Sequence, residues 1–183
     1  TEQPDLLFIF TDPRFFIWLF EMEDEIHQVC PIAWWHVWDN YPYPDFNSSL
    51  YESTDLINCH SHLTYTLLKD RFPGKTNFIP HAVPDEIYKP LPKNDIVKHK
   101  EAVLGKDRKD HFTAIWVNRN AKRKRSSDVL VSFSLFLDKL EKEKGHRDAS
   151  IIMHCDPLDQ EGANLFAVSE HLGIKDNVFF SNE

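Results

Sequence analysis

Five cationic side chains lie close together in a chain that is otherwise acidic: Arg119, Lys122, Arg123, Lys124 and Arg125. The formal net charge of the whole chain is -8, so this local excess of positive charge needs an anionic partner. A guanidinium group binds phosphate oxygens through a two-point fork, and an ammonium group binds them as a movable point charge. The types and spacing of these residues therefore predict a phosphate or diphosphate site.

The elements on either side of the cluster favour the same chemistry. Residues 112–117 are apolar and bounded by polar residues, which predicts a buried strand. Ser126 or Ser127 is expected to cap a helix that Gly145 ends. A strand that leads to a helix N-terminus offers free backbone N–H groups and the positive end of the helix dipole. Helical spacing predicts one apolar face on this helix, made of Val129, Phe133, Phe136, Leu137 and Leu140.

Two other interpretations of the cluster remain open. A basic loop that is simply solvated would have the same composition. The run 122–125 also resembles a nuclear-localisation or nucleic-acid patch. The acidic balance of the chain argues against general binding to nucleic acids or anionic membranes. We therefore expect a local anion site and no nucleic-acid partner.

Composition indicates an ordinary globular protein. Of the 183 residues, 42% are hydrophobic and 27% are charged, and no apolar run is long enough to span a membrane. We expect no signal peptide, and the three well-separated cysteines suit a reduced, cytoplasmic protein better than a disulfide scaffold. Because it starts at Thr1 and stops soon after a strand candidate, we expect an excerpt of a longer protein.

Strand and helix candidates alternate along the whole sequence, which predicts parallel α/β sheets. A segment with four prolines, 80–92, interrupts the alternation, which predicts a linker between two α/β parts of the chain. The predicted strands are 6–10, 29–37, 55–59, 76–79, 112–117, 150–153 and 177–180. The predicted helices are 15–25, 48–52, one capped by Ser61, 94–104, the one after the basic cluster, and 160–172.

Histidines and aromatic residues supply further candidates. His60 and His62 beside Cys59, with His154 and Cys155 elsewhere, have side chains that bind zinc, but ten histidines make chance proximity the better explanation. His36 and Asp39 follow a predicted strand and are candidates for acceptor chemistry. The alternative that we favour is that the run 34–38 is core and that a neighbour satisfies His36. Tyr41 and Tyr43 either stack on a sugar or cover a loop.

The order of these landmarks resembles the retaining GT-B glycosyltransferases of family 4, also called group 1. The family's domain crossing is similar to 78–90, which reads Phe-Ile-Pro-His-Ala-Val-Pro-Asp-Glu-Ile-Tyr-Lys-Pro. Its Gly-Arg and Arg-Lys-Gly motifs are similar to 117–119 and 123–125, and its strand before a serine-capped helix is similar to 55–61. The resemblance extends from about residue 4 to 180.

The resemblance implies an α/β fold of two Rossmann-like halves with parallel sheets, each incomplete. Residues 1–90 would be the C-terminal part of an acceptor-side domain, and residues 91–183 the N-terminal part of a donor-side domain. Carried over by motif, Arg119 and Lys124 would bind the diphosphate of a UDP- or GDP-sugar, with Arg123 and Arg125 assisting and no metal cofactor. The sugar would pass to an unknown acceptor with retention of anomeric configuration.

The sequence also departs from the family pattern. Asn118 and Arg125 stand where glycines are usual, and His81-Ala82 replaces Asn-Gly. The glycine-rich loop at the N-terminal end of the family pattern and its paired glutamates are absent, so we expect an incomplete active site in this chain. A non-catalytic module that binds a nucleotide or a phosphate through the same loop is therefore the alternative.

Overall fold

The computed structural model describes residues 3–38 and 40–181. The chain divides into two compact units, an N-terminal unit (Thr1–Tyr88) and a C-terminal unit (Lys89–Glu183). The boundary between them falls inside the proline-rich segment 80–92. Each unit has its own sheet and its own buried apolar cluster.

The N-terminal unit contains a four-stranded parallel sheet in the order β1-β2-β3-β4. Its short helices lie in the connections, as parallel pairing requires. The strands are β1 (Leu7–Thr11), β2 (Ile32–His36), β3 (Leu56–Cys59) and β4 (Thr76–Phe78). The helices are α1 (Ile17–Phe20), α2 (Glu23–His27), α3 (Ser48–Glu52) and α4 (His62–Leu68), and single 3-10 turns occupy Pro13–Phe15 and Asp45–Asn47.

Aromatic side chains dominate the core of this unit. Trp34 is fully buried and stacks on Tyr51 with ring centroids 5.3 Å apart. Ile57 and Cys59 continue the same face of the sheet, and both are fully buried. Along a strand successive side chains point to opposite faces, so Phe8 and Phe10 lie on the other face, where half or more of each is exposed.

The C-terminal unit contains a three-stranded parallel sheet in the order β5-β6-β7. Its longest element is α6, which has 19 residues and ends at Gly145 in the left-handed conformation, as predicted. The strands are β5 (Phe112–Val117), β6 (Ala149–His154) and β7 (Val178–Phe180). The helices are α5 (Lys93–Leu104), α6 (Ser126–Lys144) and α7 (Leu165–His171), with 3-10 turns at Lys106–Arg108, Lys122–Lys124 and Lys175–Asn177.

The buried face of α6 differs from the predicted one. Leu130, Phe133 and Leu137 are buried and form the centre of the face, whereas Phe136 is 37% exposed. Val129 and Leu140 are only partly buried at the margins of the core. The prediction omitted Leu130 because the face was assigned from Val129, one residue to the side.

Three further predictions were wrong. β5 has the predicted bounds but is not buried, because it is an edge strand and Ile115 and Val117 are each more than 60% exposed. The helix predicted at 15–25 is a 3-10 turn followed by two short helices. The helix predicted at 160–172 begins only at Leu165, where Asn164 accepts the Ala167 N–H as its cap.

The fold class is α/β with two parallel sheets, as the alternation predicted. Among the helices of the described residues, none has the length and apolar character to cross a membrane.

Candidate functional site

The five cations lie in one loop, Asn118–Arg125, which we call the basic loop. It follows the carboxyl end of β5 and leads directly into α6. Lys122–Lys124 form a single 3-10 turn, and Arg125 is the N-cap of α6. In open parallel sheets ligands bind outside the carboxyl ends of the strands, and a helix N-terminus there favours anions.

The helix start differs from the predicted serine cap. Arg125 is the N-cap, in the left-handed conformation at φ 59°, and its side chain makes no capping hydrogen bond among the described residues. Ser126 is instead the first helical residue, and its Oγ is buried without a hydrogen-bond partner among the described residues. Arg125 Nε contacts Asp128 Oδ2 at 2.7 Å, so one cation and one first-turn carboxylate pair at the helix start.

Replacing Arg125 by glycine is expected to stabilise the chain relative to replacing it by alanine. Both variants lose the ion pair with Asp128, which is exposed and contributes little. The two variants differ in how easily residue 125 adopts the left-handed conformation, which costs a residue with a Cβ about 1–2 kcal/mol. The greater flexibility of glycine in the unfolded chain offsets part of that difference. In urea unfolding, the free energy of unfolding of Arg125→Gly should be higher than that of Arg125→Ala by about 0.5–1 kcal/mol. Equal stabilities would contradict a strained N-cap.

Arg119 is held by the carboxylate of Asp159, which lies in the connection that follows β6. Its Nε donates to Asp159 Oδ2 at 2.6 Å and its Nη2 donates to Asp159 Oδ1 at 3.0 Å, which makes a two-point fork. The hydrogen bond from Arg119 keeps the pKa of the Asp159 carboxyl below its ordinary value, and the same bond raises the pKa of the guanidinium. The pair is therefore charged on both sides at neutral pH.

The connection that carries Asp159, residues 156–164, lies against the basic loop and is called here the supporting loop. Asn120 is 1% exposed, and its Nδ2 donates to the carbonyl oxygens of Pro157 at 3.4 Å and Ala163 at 2.8 Å. The Lys122 N–H donates to the Glu161 carbonyl oxygen at 3.0 Å. These bonds and the Arg119–Asp159 fork fix the path of the basic loop.

Lys122, Arg123 and Lys124 have no carboxylate partners among the described residues. Within residues 3–38 and 40–181, no carboxylate oxygen lies within 4.0 Å of the charged groups of Lys122, Arg123 or Lys124. Lys122 and Arg123 are exposed and Lys124 is half-buried. Three positive charges thus stand beside a helix N-terminus without local compensation, an arrangement that attracts anions.

His36 is part of the core of the N-terminal unit. It is fully buried, and its Nε2 lies 2.6 Å from the Tyr51 hydroxyl. Burial, with a smaller contribution from His60, lowers the pKa of His36 to about 3. The interpretation of His36 as a core histidine satisfied by a neighbour is thereby supported, while Asp39 lies outside the described residues.

The residues considered for a metal site have other contacts. His60 Nδ1 donates to the His36 carbonyl oxygen at 2.8 Å, and His154 Nδ1 lies 2.6 Å from Ser181 Oγ. Burial raises the pKa of the Cys59 thiol to about 12, and Cys30, Cys59 and Cys155 are all free and buried. No group of three or more potential metal ligands occurs in the part of the chain that the structure describes.

Sequence reasoning located the basic loop but missed the supporting loop. Residues 160–164 were assigned to a helix, so Asp159 and Glu161 were not considered as neighbours of Arg119 and Lys122. A signal was present, because Asp156 and Asp159 follow β6, and the carboxyl ends of adjacent parallel strands meet at one edge of a sheet. Acidic residues after the strand next to a basic cluster are candidates for pairing with it.

Comparison with known proteins gives no sequence family but a clear structural likeness. No family model matches the sequence, and no curated protein matches it either. Among solved structures, Anabaena Alr3699/HepE in complex with UDP matches 97% of this chain at a TM-score of 0.67 and 14% identity. The α/β fold with two parallel sheets matches about half of such GT-B structures.

Two further structures agree with this match. Anabaena Alr3699/HepE in complex with UDP-glucose matches 96% of the chain at a TM-score of 0.65 and 14% identity. A trehalose-6-phosphate structure from E. coli bound with UDP-2-fluoro glucose matches 100% of it at a TM-score of 0.53 and 14% identity. The chain spans only 47–48% of the length of these structures. At this identity the similarity concerns the fold alone.

Proposed function

We propose that this chain is part of a family 4-type GT-B glycosyltransferase whose basic loop binds the diphosphate of a nucleotide-sugar donor. The observation that carries the proposal is the loop itself, with five cations between a strand end and a helix N-terminus, three of them without a carboxylate partner in the described residues. The structures of similar fold contain UDP, UDP-glucose and UDP-2-fluoro glucose, which supports a UDP-sugar as the first donor to test.

The proposed reaction transfers a sugar from a UDP- or GDP-sugar to an acceptor with retention of anomeric configuration. As the bond between sugar and phosphate breaks, the departing nucleoside diphosphate gains negative charge. Fixed cations beside it stabilise that charge more strongly in the transition state than in the bound donor. Arg119 supplies a planar fork and Lys124 a point charge, while Arg123 and Arg125 add to the positive potential.

In this proposal the two units have separate roles. The segment 1–90 belongs to the acceptor-side domain, and the segment 91–183, which contains the basic loop, belongs to the donor-side domain. Turnover of a UDP- or GDP-sugar distinguishes the enzyme from a module that binds the nucleotide without catalysis.

The variant Arg119→Ala/Lys124→Ala is expected to bind UDP or GDP at least tenfold more weakly than the unmodified chain. It removes two charge-assisted contacts to the diphosphate, each of which contributes about 1.5–3 kcal/mol in typical cases. Calorimetric titration of both proteins with UDP and with GDP measures the difference. Binding by the unmodified chain should also weaken as salt is added, because salt screens exposed charges.

A control that removes two charges elsewhere separates a local site from a general charge effect. Lys142→Ala/Lys144→Ala neutralises two cations in the last turn of α6, at the opposite end of the helix from the basic loop. It should leave the affinity for UDP or GDP within about twofold. A folded unmodified chain that binds neither nucleotide would contradict the proposal. Oligonucleotide binding that is lost on neutralising residues 122–125 would favour a nucleic-acid site instead.

A further inference from the structure

Asp159 is the residue through which the supporting loop contacts the charged part of the basic loop. Its two carboxylate oxygens accept from Nε and Nη2 of Arg119, and Oδ1 also accepts the Glu161 N–H at 2.9 Å. The Asp159 side chain is 13% exposed, whereas that of Arg119 is 62% exposed. The carboxylate is thus the fixed partner and the guanidinium is the group that it holds.

The geometry of the fork leaves one side of the guanidinium available. A guanidinium has five N–H donors in a rigid plane. Asp159 uses one donor on Nε and one on Nη2, so the other Nη2 proton and one proton of Nη1 point together from the end edge of the guanidinium. That edge has the spacing that matches two oxygens of a phosphate.

We propose that Asp159 is a positioning residue, which holds Arg119 by one edge of its guanidinium so that the other edge receives a phosphate of the nucleoside diphosphate. This inference rests on the proposed function and adds a residue from a different strand connection to it. An exposed arginine loses considerable rotamer freedom when it binds a ligand. A carboxylate that already restrains the side chain reduces that loss before the ligand arrives.

The surrounding contacts make Asp159 a suitable anchor. The Asn120 side chain is bonded to two carbonyl groups of the supporting loop, and the Lys122 N–H is bonded to a third. These bonds join the two loops independently of Asp159. Removing the carboxylate should therefore release the Arg119 side chain while the two loops remain together.

The opposite role for Asp159 makes a different prediction. A carboxylate that occupies the place of a phosphate would compete with the ligand for Arg119, and removing its charge would then strengthen binding. A positioning carboxylate acts in the other direction. The sign of the change in UDP affinity on removing the charge therefore distinguishes the two roles.

A double-mutant cycle on the full chain tests the proposal, with UDP affinity measured by calorimetry for the unmodified chain, Asp159→Asn, Arg119→Ala and the double variant. Asparagine keeps an oxygen for the Glu161 N–H and removes the charge. We expect Asp159→Asn to weaken UDP binding roughly three- to tenfold, the range expected for ordering one such side chain. In the Arg119→Ala background the same change should alter affinity less than twofold. Asp159→Glu, which keeps the charge, should recover most of the affinity.

Several results would overturn the inference. Tighter UDP binding by Asp159→Asn would identify the carboxylate as a competitor. An equal loss in the presence and absence of Arg119 would mean that Asp159 acts on the loop as a whole. No UDP binding by the folded unmodified chain would overturn the proposed function and this inference together, whereas binding without coupling between the two residues overturns only this inference.

A measurement on the unmodified chain covers the case in which Asp159→Asn does not fold. The Nε–H signal of Arg119 in a ¹⁵N NMR spectrum reports its bond to Asp159. Addition of UDP should leave that signal protected from exchange with water while the Nη signals shift. Loss of Nε–H protection on UDP binding would show that the nucleotide displaces the carboxylate and would overturn the proposal.

Discussion

Acidification from pH 7 to pH 4 is expected to destabilise the N-terminal unit by about 3 kcal/mol through His36 alone. Burial keeps this histidine neutral, with a pKa lowered from 6.5 to about 3. Below pH 6.5 the unfolded chain takes up a proton at His36 and the folded chain does not, so stability falls as the pH falls. Each pH unit in this window contributes about 1.4 kcal/mol.

The structure explains why His36 resists protonation. Its side chain is fully buried, and its ring centroid lies 4.3 Å from that of Trp34 and 5.1 Å from that of Tyr51. Its Nδ1 has no hydrogen-bond partner among the described residues, so an added charge would be poorly solvated. The nearby His60 also opposes protonation of His36. Asp12 favours protonation, but its effect is smaller than that of burial or of His60.

Urea unfolding as a function of pH measures this effect when it is compared with His36→Gln. Glutamine has an amide nitrogen near the position of Nε2 and does not titrate in this range. Trp116→Phe in both proteins leaves tryptophans only in the N-terminal unit, so fluorescence reports on that unit. The stability difference between the two proteins should shrink by about 3 kcal/mol between pH 7 and pH 4. Parallel stability curves would contradict a neutral buried His36.

Local signals in the sequence predicted several elements well. Alternation of apolar segments gave the parallel α/β architecture, and the bounds of α3 and β5 agree with the predicted ones. Ser61 caps α4 by accepting the Thr64 N–H, and Gly145 ends α6. Each of these features depends on a residue and its immediate neighbours, so the sequence contains the information directly.

Features that depend on distant partners were not predicted. An apolar run indicates a strand, but it does not tell how many neighbours cover that strand, so the exposure of β5 was missed. The basic loop was located from its charges, whereas its anchor, Asp159, lies 40 residues after Arg119 in the chain. Only the register of β5 against β6 brings these two residues to the same edge of the sheet.

The close approach of Gly162 to Asn120 leads to the second large prediction, which concerns Gly162→Ala. A Cβ at this position would overlap the backbone oxygen of Asn120 and two atoms of its side chain. Asn120 is 1% exposed and held by the carbonyl groups of Pro157 and Ala163, so it has little room to move. The supporting loop must therefore separate from the basic loop to accept the methyl group.

Gly162→Ala is expected to lower the free energy of unfolding by about 1–3 kcal/mol and, if the basic loop binds the donor, to weaken UDP binding more than tenfold. Gly145→Ala is the matched control, because a Cβ there meets no atom within 4 Å and only its φ of 79° is unfavourable. It should cost about 1 kcal/mol and leave UDP affinity unchanged. If Gly162→Ala loses stability but binds UDP normally, the basic loop does not need the supporting loop. If both variants lose affinity equally, the loss follows from general destabilisation, because Gly145 is at the far end of α6.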